Sequence, residues 1–217
     1  GIPDGIFGVG HSPLWWNGRL ILNVGGTAPH SGVVALRTDT GATDWSSTAA
    51  GAAFATPRVA RIHDRDWLFV FTRQGLTMLD PATGAEQWTC PFEPHIPDAA
   101  NAVSPLILGD LVLLCSWGVG TQVLQNLPTG DYRSIWRDRR TLTSQYTPLI
   151  AVDDCVLGVH ATDDSLRCVE MATGQLRWRW KSELGHSKNI LLGDQLLLLG
   201  EYGHLGLLRA DTHATPE

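Results

Sequence analysis

Apolar residues in this chain fall in short runs separated by Gly, Asp and Pro, and no window of about eleven to eighteen residues carries the 3.6-residue period of an amphipathic helix. Three sets of runs recur in a fixed order. One opens with a hydroxyl residue before proline, at Ser12-Pro13, Thr56-Pro57, Ser104-Pro105 and Thr147-Pro148, with Ser187-Lys188 in the fifth place. The next, at residues 20–24, 67–71, 111–115, 155–159 and 196–199, follows turn pairs such as Asn17-Gly18, Gly109-Asp110 and Asp153-Asp154. The third, at residues 33–36, 76–79, 123–124, 166–169 and 205–208, runs into a turn, and in four copies the segment beyond that turn carries a tryptophan.

These four copies read Thr40-Gly41 with Trp45, Thr83-Gly84 with Trp88, Thr129-Gly130 with Trp136, and Thr173-Gly174 with Trp178. Their glycines lie 43, 46 and 44 residues apart, and a decayed fifth turn stands at Asp211-Thr212-His213. Four short antiparallel strands in a unit of about 43 residues are the pattern of a β-propeller blade, a sheet that cannot bury both faces alone. The sequence therefore predicts an all-β chain, a single propeller segment over residues 1–217 with repeats near 11–48, 54–91, 103–138, 146–181 and 186–210. That is four complete blades and a fifth without its outer strand. Pro3, Gly5, Gly8 and Gly10 make the N-terminal residues a poor closing strand. A portion of a larger propeller is expected, or one completed by another polypeptide, with residues 204–210 pairing beyond the chain.

Composition agrees with a turn-rich fold, with 23 Gly and 12 Pro. Sixteen basic against 22 acidic residues leave a net charge of −6, without the basic footprint that nucleic-acid binding needs. No apolar run reaches the roughly eighteen residues of a membrane-spanning helix. Cys90, Cys115, Cys155 and Cys168 lack zinc, haem or redox spacing, so buried free thiols are expected.

The strings Val34-Ala35-Leu36-Arg37-Thr38-Asp39-Thr40-Gly41 and Met78-Leu79-Asp80-Pro81-Ala82-Thr83-Gly84-Ala85-Glu86-Gln87-Trp88 resemble the tryptophan-docking repeat of the PQQ-like β-propellers. That superfamily contains quinoprotein dehydrogenases and the non-catalytic, BamB-like branch, and the resemblance spans roughly residues 11–210. It implies that Trp45, Trp88, Trp136 and Trp178 are structural docking residues. It also implies that a dehydrogenase would hold its quinone against a vicinal disulfide, with Ca²⁺ on nearby carboxylates. The sequence has no adjacent cysteines, and Asp153-Asp154 and Asp163-Asp164 read as turn residues. No GxSxG, HExxH, P-loop or EF-hand motif is present either. Catalytic, cofactor and metal residues are therefore expected to be none.

One repeat position stands out. His11, Tyr146 and His186 precede the first-strand hydroxyl, where with Ala55 and Val103 they could ring the mouth of a central channel. Histidines bonded to loop backbone are the competing explanation, and Ser12, Thr56, Ser104, Thr147 and Ser187 are expected to bond backbone rather than ligand. Trp15, Trp16, Trp117 and Trp180 lie outside the docking register, so some should be exposed, and loops 90–102 and 117–122 are the expected carriers of an aromatic patch. The resemblance points to a non-catalytic scaffold that binds a protein partner in the periplasm or at the cell surface. A dehydrogenase-derived propeller and a sensor of small molecules or glycans are the alternatives.

Overall fold

A computed structural model of the chain describes residues 10–26, 28–96, 100–181 and 183–215. Most of the segment weighed above as a closing strand lies outside the described residues. Among the described residues nineteen strands form five antiparallel sheets, each in simple up-and-down order. The first holds β1 (Leu14–Trp16), β2 (Arg19–Asn23), β3 (Val33–Arg37) and β4 (Thr43–Ser47). The second holds β5 (Arg58–Ile62), β6 (Arg65–Phe71), β7 (Gly75–Leu79) and β8 (Glu86–Pro91). The third holds β9 (Leu106–Leu108), β10 (Leu111–Ser116), β11 (Gly120–Asn126) and β12 (Tyr132–Asp138). The fourth holds β13 (Ile150–Val152), β14 (Cys155–Val159), β15 (Leu166–Glu170) and β16 (Leu176–Trp180), and the fifth only β17 (Lys188–Leu192), β18 (Gln195–Leu199) and β19 (Leu205–Arg209).

These are propeller blades, and the apolar core is divided among the spaces between them. In the second strand of each blade, alternate side chains point to opposite faces and so enter different clusters. Leu68 and Val70 pack with Ile21, Ala35 and Trp45 between the first and second blades. Phe69 and Phe71, one residue away, pack with Val112 and Leu114 between the second and third. Leu113 and Cys115 then meet Val156 and Val169, and Leu157 and Cys168 meet Leu196 and Leu198.

The Thr-Gly turn works the same way in three blades. The glycine N–H bonds the carbonyl four residues back, Gly41 to Arg37, Gly84 to Asp80 and Gly174 to Glu170, each at 2.8–2.9 Å. At Gly84 the φ of +72° demands a residue without Cβ, and a Cβ there would also overlap the Trp45 ring. Every third-to-fourth strand pair also shifts register, as between Ala35 and Leu36 or between Cys168 and Val169. Such a bulge bends the outer strand and re-aims its tryptophan. Trp45 donates its indole N–H to Pro81 O at 3.2 Å, Trp136 to Met171 O at 2.8 Å and Trp178 to Asp211 O at 3.1 Å, each acceptor in the next blade.

Trp88 differs. In the third blade Gly130 N bonds Leu127 O, only three residues back, and the amide of Gln87 bonds Gly130 O at 2.7 Å. Trp88 instead lies 4.7 Å from the Tyr132 ring, and its N–H has no partner among the described residues.

The expectation that some tryptophans outside the docking register are exposed is met by Trp15, at 66%; Trp16 and Trp180 pack against the first and last inter-blade clusters, and Trp117 is half-buried. One expectation needs correction. The stretch 117–122 is not a long loop, because β11 starts at Gly120 and Val119 and Thr121 are buried. Trp88→Ala should therefore lower stability by about 3–5 kcal/mol, the range for emptying a large aromatic site, while Trp15→Ala should cost far less. Equal midpoints for the two variants in chemical denaturation would remove Trp88 from the inter-blade core.

Candidate functional site

The residues just ahead of the first strands lie where successive blades meet. Ser12 N–H bonds the Thr56 hydroxyl at 3.3 Å, Thr56 N–H bonds the Ser104 hydroxyl at 3.0 Å, and the Thr147 hydroxyl donates to Ser187 O at 2.7 Å. The Thr56, Ser104 and Thr147 hydroxyls thus bond backbone, and the backbone belongs to the neighbouring blade. Beside this belt the buried Asn101 takes Phe54 and Ala55 N–H on its carbonyl and sends its side-chain amide to Thr72 O and Phe92 O. Loop 90–102 was an expected carrier of an aromatic patch; its Phe92 is buried with Cys90 and Asn101, whereas Ile96 is 38% exposed and residues 97–99 lie outside the described residues.

The mouth candidates are not bonded to one another among the described residues. His11 is half-buried, with Nε2 accepting Asn23 N–H at 3.0 Å and Nδ1 directed at Ser12 O at 3.0 Å. Tyr146 is 59% exposed, and Lys188 reaches over from the fifth blade with Nζ on Tyr146 O at 2.8 Å and 5.6 Å from the ring centre. His186 is exposed and sits 2.8 Å from the Asp164 carboxylate. Ala55 and Val103, the other two positions of the ring, are buried. Tyr146, His186 and Lys188 therefore share the exposed seam between the fourth and fifth blades, while His11 is bonded to backbone in the first.

Sequence reasoning missed a buried polar node in the fourth blade. Arg167 on β15 is 8% exposed and donates to Arg140 O, Thr141 O, the Ser165 hydroxyl and Asp163 Oδ2, all within 2.8–3.0 Å. His160 lies alongside, with Nε2 3.2 Å from Arg140 O and from Thr143 Oγ1, while Nδ1 accepts Thr162 N–H at 3.3 Å. Only the alternation of Asp163, Ser165 and Arg167 was available as a signal, because the acceptors come from residues more than twenty positions upstream.

Burial lowers the His160 pKa, the Arg167 charge lowers it further, and Asp163 opposes both. For Asp163 burial acts upward, yet the Ser165 hydroxyl, Ser165 N–H and Arg167 outweigh it and bring the pKa to about 2. Both groups stabilise the fold above their unfolded values. As pH falls below 6.5 the unfolded chain takes up the His160 proton first, and stability declines through the lowered folded value. The Asp163 contribution holds above 3.8 and is lost as pH approaches 2. His160→Gln, which can keep a donor and an acceptor in place, should flatten the decline below 6.5 and leave the acid limb unchanged. Identical pH slopes in denaturant titrations of variant and wild type would show that His160 is not burdened by its surroundings.

Among the described residues no donor set of a quinone–calcium centre is brought together. The four cysteines are single, free and buried, and burial pushes the Cys115 thiol up to about 11. Among the described residues no group of three or more His, Cys, Asp or Glu side chains could hold a metal ion.

Comparison with curated protein sequences found no match. Among solved structures the chain is similar to BamB from Moraxella catarrhalis, with a TM-score of 0.73, 18% identity, and 94% of this chain and 61% of that chain covered. It is also similar to a europium-containing methanol dehydrogenase, with a TM-score of 0.68, 13% identity, and 99% and 51% covered. The computationally designed Ika8 protein matches with a TM-score of 0.60, 13% identity, and 91% and 57% covered. The chain thus spans less than two thirds of each of these relatives, and at such identities the likeness is one of fold. A family model described as outer membrane protein assembly factor BamB matches residues 8–204, and the chain belongs to that PQQ-type propeller family.

Proposed function

We propose that this propeller is a non-catalytic scaffold that holds a protein partner outside the cytoplasm. The family match over residues 8–204 carries the reading. The seam between the fourth and fifth blades supports it, because Tyr146 and its Lys188 neighbour offer an aromatic ring and a cation to solvent on a rigid frame. Tyrosine supplies large contact area at small entropic cost, the property that makes it frequent in binding surfaces. His186 beside Asp164 adds polar groups at the rim of the same seam. His11 contributes from the first blade by fixing the approach to β1 through its bonds to Asn23 and Ser12.

A photo-crosslinking residue at position 146, introduced in the source cells, should give a discrete adduct with an envelope protein. The same residue at position 64, a fully exposed turn at the far end of a first strand, should give none. Tyr146→Ala combined with His186→Ala should keep the melting temperature and weaken capture of that partner, whereas His11→Ala should cost about 1 kcal/mol of stability through its lost backbone bond. A cofactor spectrum on adding quinone and Ca²⁺ would overturn the scaffold reading in favour of a dehydrogenase. Thermal stabilisation by one member of a sugar or small-molecule panel would overturn it in favour of a sensor.

A further inference from the structure

Between the second and third blades, beside the turn that departs from the repeat, lies a cavity of 220 Å³. Its walls follow from that departure. At the neighbouring contacts the indole of an outer strand bonds the carbonyl three residues before the next turn glycine, Pro81 O or Met171 O, and closes the outer end of the junction. In the third blade Leu127 O, at that position, takes the Gly130 N–H instead, and residues 127–130 form one wall of the cavity. Trp67 and Met78 of the second blade, both buried, line the opposite side.

Three polar side chains of this cavity have already spent their donors. Asn126, 2% exposed, gives its side-chain N–H to Asp110 O at 3.2 Å, and because a carbonyl only accepts, the oxygen is the end left over. That Oδ1 is buried and has no partner among the described residues. It is also held in place, since Asn126 N–H bonds Asp110 O and Asn126 O takes the Nε2–H of His63 at 3.1 Å. By the same reasoning Gln87, with its amide N–H on Gly130 O at 2.7 Å, keeps Oε1 as an acceptor, and His63 keeps Nδ1 when the ring is neutral. Arg65, the cation of the cavity, is engaged, 4.2 Å above the Trp67 ring and 2.6 Å from Asp80. Asp64, between His63 and Arg65, is fully exposed and is not part of the wall.

We propose that the cavity receives a lysine side chain of a partner protein, its ammonium meeting Asn126 Oδ1, Gln87 Oε1 and His63 Nδ1. An ammonium offers three donors and no acceptor, the complement of a site whose acceptors are left over, and its aliphatic stem suits the Trp67 and Met78 side. A carboxylate brings no donor, a neutral carboxamide brings an acceptor as well, and a guanidinium would have to share the Trp67 face with Arg65. Charge agrees, because Asp64, Asp66, Asp80 and Asp110 stand against Arg61 and Arg65 in the turns around the cavity, in a chain of net charge −6. The inference rests on the scaffold reading in taking a protein as the occupant, and it adds a contact at a different blade junction from the Tyr146 seam.

Titrating the purified, isotope-labelled chain with acetyl-glycyl-lysyl-glycinamide and its glutaminyl and glutamyl counterparts reads the site through the Trp67 indole and Asn126 side-chain amide signals in NMR spectra. The lysyl peptide should shift both saturably in the millimolar range, and the other two should not. Gln87→Met, at an exposed position, should weaken lysyl binding about tenfold, the loss expected for one hydrogen bond to a charged group. Gln87→Lys, which tethers an ammonium at the same point, should abolish it. Asn126→Leu should abolish it too, and if that variant fails to fold the Gln87 pair carries the test. No shift with the lysyl peptide overturns the proposal and leaves the cavity to solvent. Equal shifts with the glutaminyl peptide, or lysyl binding unchanged in both Gln87 variants, overturn it as well. None of these failures touches the crosslink expected at position 146, and a missing crosslink there with lysyl binding intact would remove the seam and keep the cavity.

Discussion

A sheet that is apolar on both faces must be covered on both, and the rest of this structure answers that constraint. Each blade carries side chains for two different cores in one strand, so Leu68 and Phe69, adjacent in sequence, stabilise different inter-blade contacts. Burial of apolar area, at roughly 25 cal/mol per Å², drives the stacking but does not by itself set the angle or depth at which blades meet. Directional bonds at the inner and outer ends do that. The hydroxyl belt joins the starts of first strands, and indole N–H groups join outer strands to the next turn. Core between, with polar ties at both ends, leaves little freedom for one blade to slide on another.

The third blade shows what happens when one tie is replaced. Its shorter turn uses Leu127 O for the glycine N–H, and the neighbouring Gln87 side chain bonds the glycine carbonyl. Trp88 then contributes through ring contact with Tyr132 and Phe69, and its buried N–H has no partner among the described residues. Such an unmet donor costs about 1–3 kcal/mol, so the second-to-third contact relies more on apolar packing than its neighbours do. That contact also has the most aromatic cluster, with Phe69, Phe71 and Phe92 buried beside Trp67 and Trp88.

The fold was legible because its period is written in local chemistry. A glycine at positive φ, demanded by the local turn, and a tryptophan a few residues later recur in four copies. What escaped the sequence depends on groups brought together from far apart. Trp16 and Trp180 lie outside the docking register, and only the packing of a neighbouring blade buries them. Loop 90–102 has the composition of an exposed loop, and one side chain, Asn101, makes part of it interior. The Arg167 node was hidden for the same reason, its acceptors lying in the connection between the third and fourth blades. Position-by-position alignment brought out His11, Tyr146 and His186 as a set, but alignment carries no information on partners, and each has a different one.

Those differences bear on how such a frame acquires function. Where a repeat position must serve the fold, the side chain is committed, as the Thr147 hydroxyl is to Ser187 O and His11 is to Asn23 N–H. Where the same position faces solvent at a blade seam, as at Tyr146 and His186, the side chain stays exposed and its contacts across the seam are surface ones, with Lys188 and Asp164. The same repeat position is thus committed to the fold in one blade and left at the surface in others. The fold alone therefore does not decide the chemistry that such a frame carries.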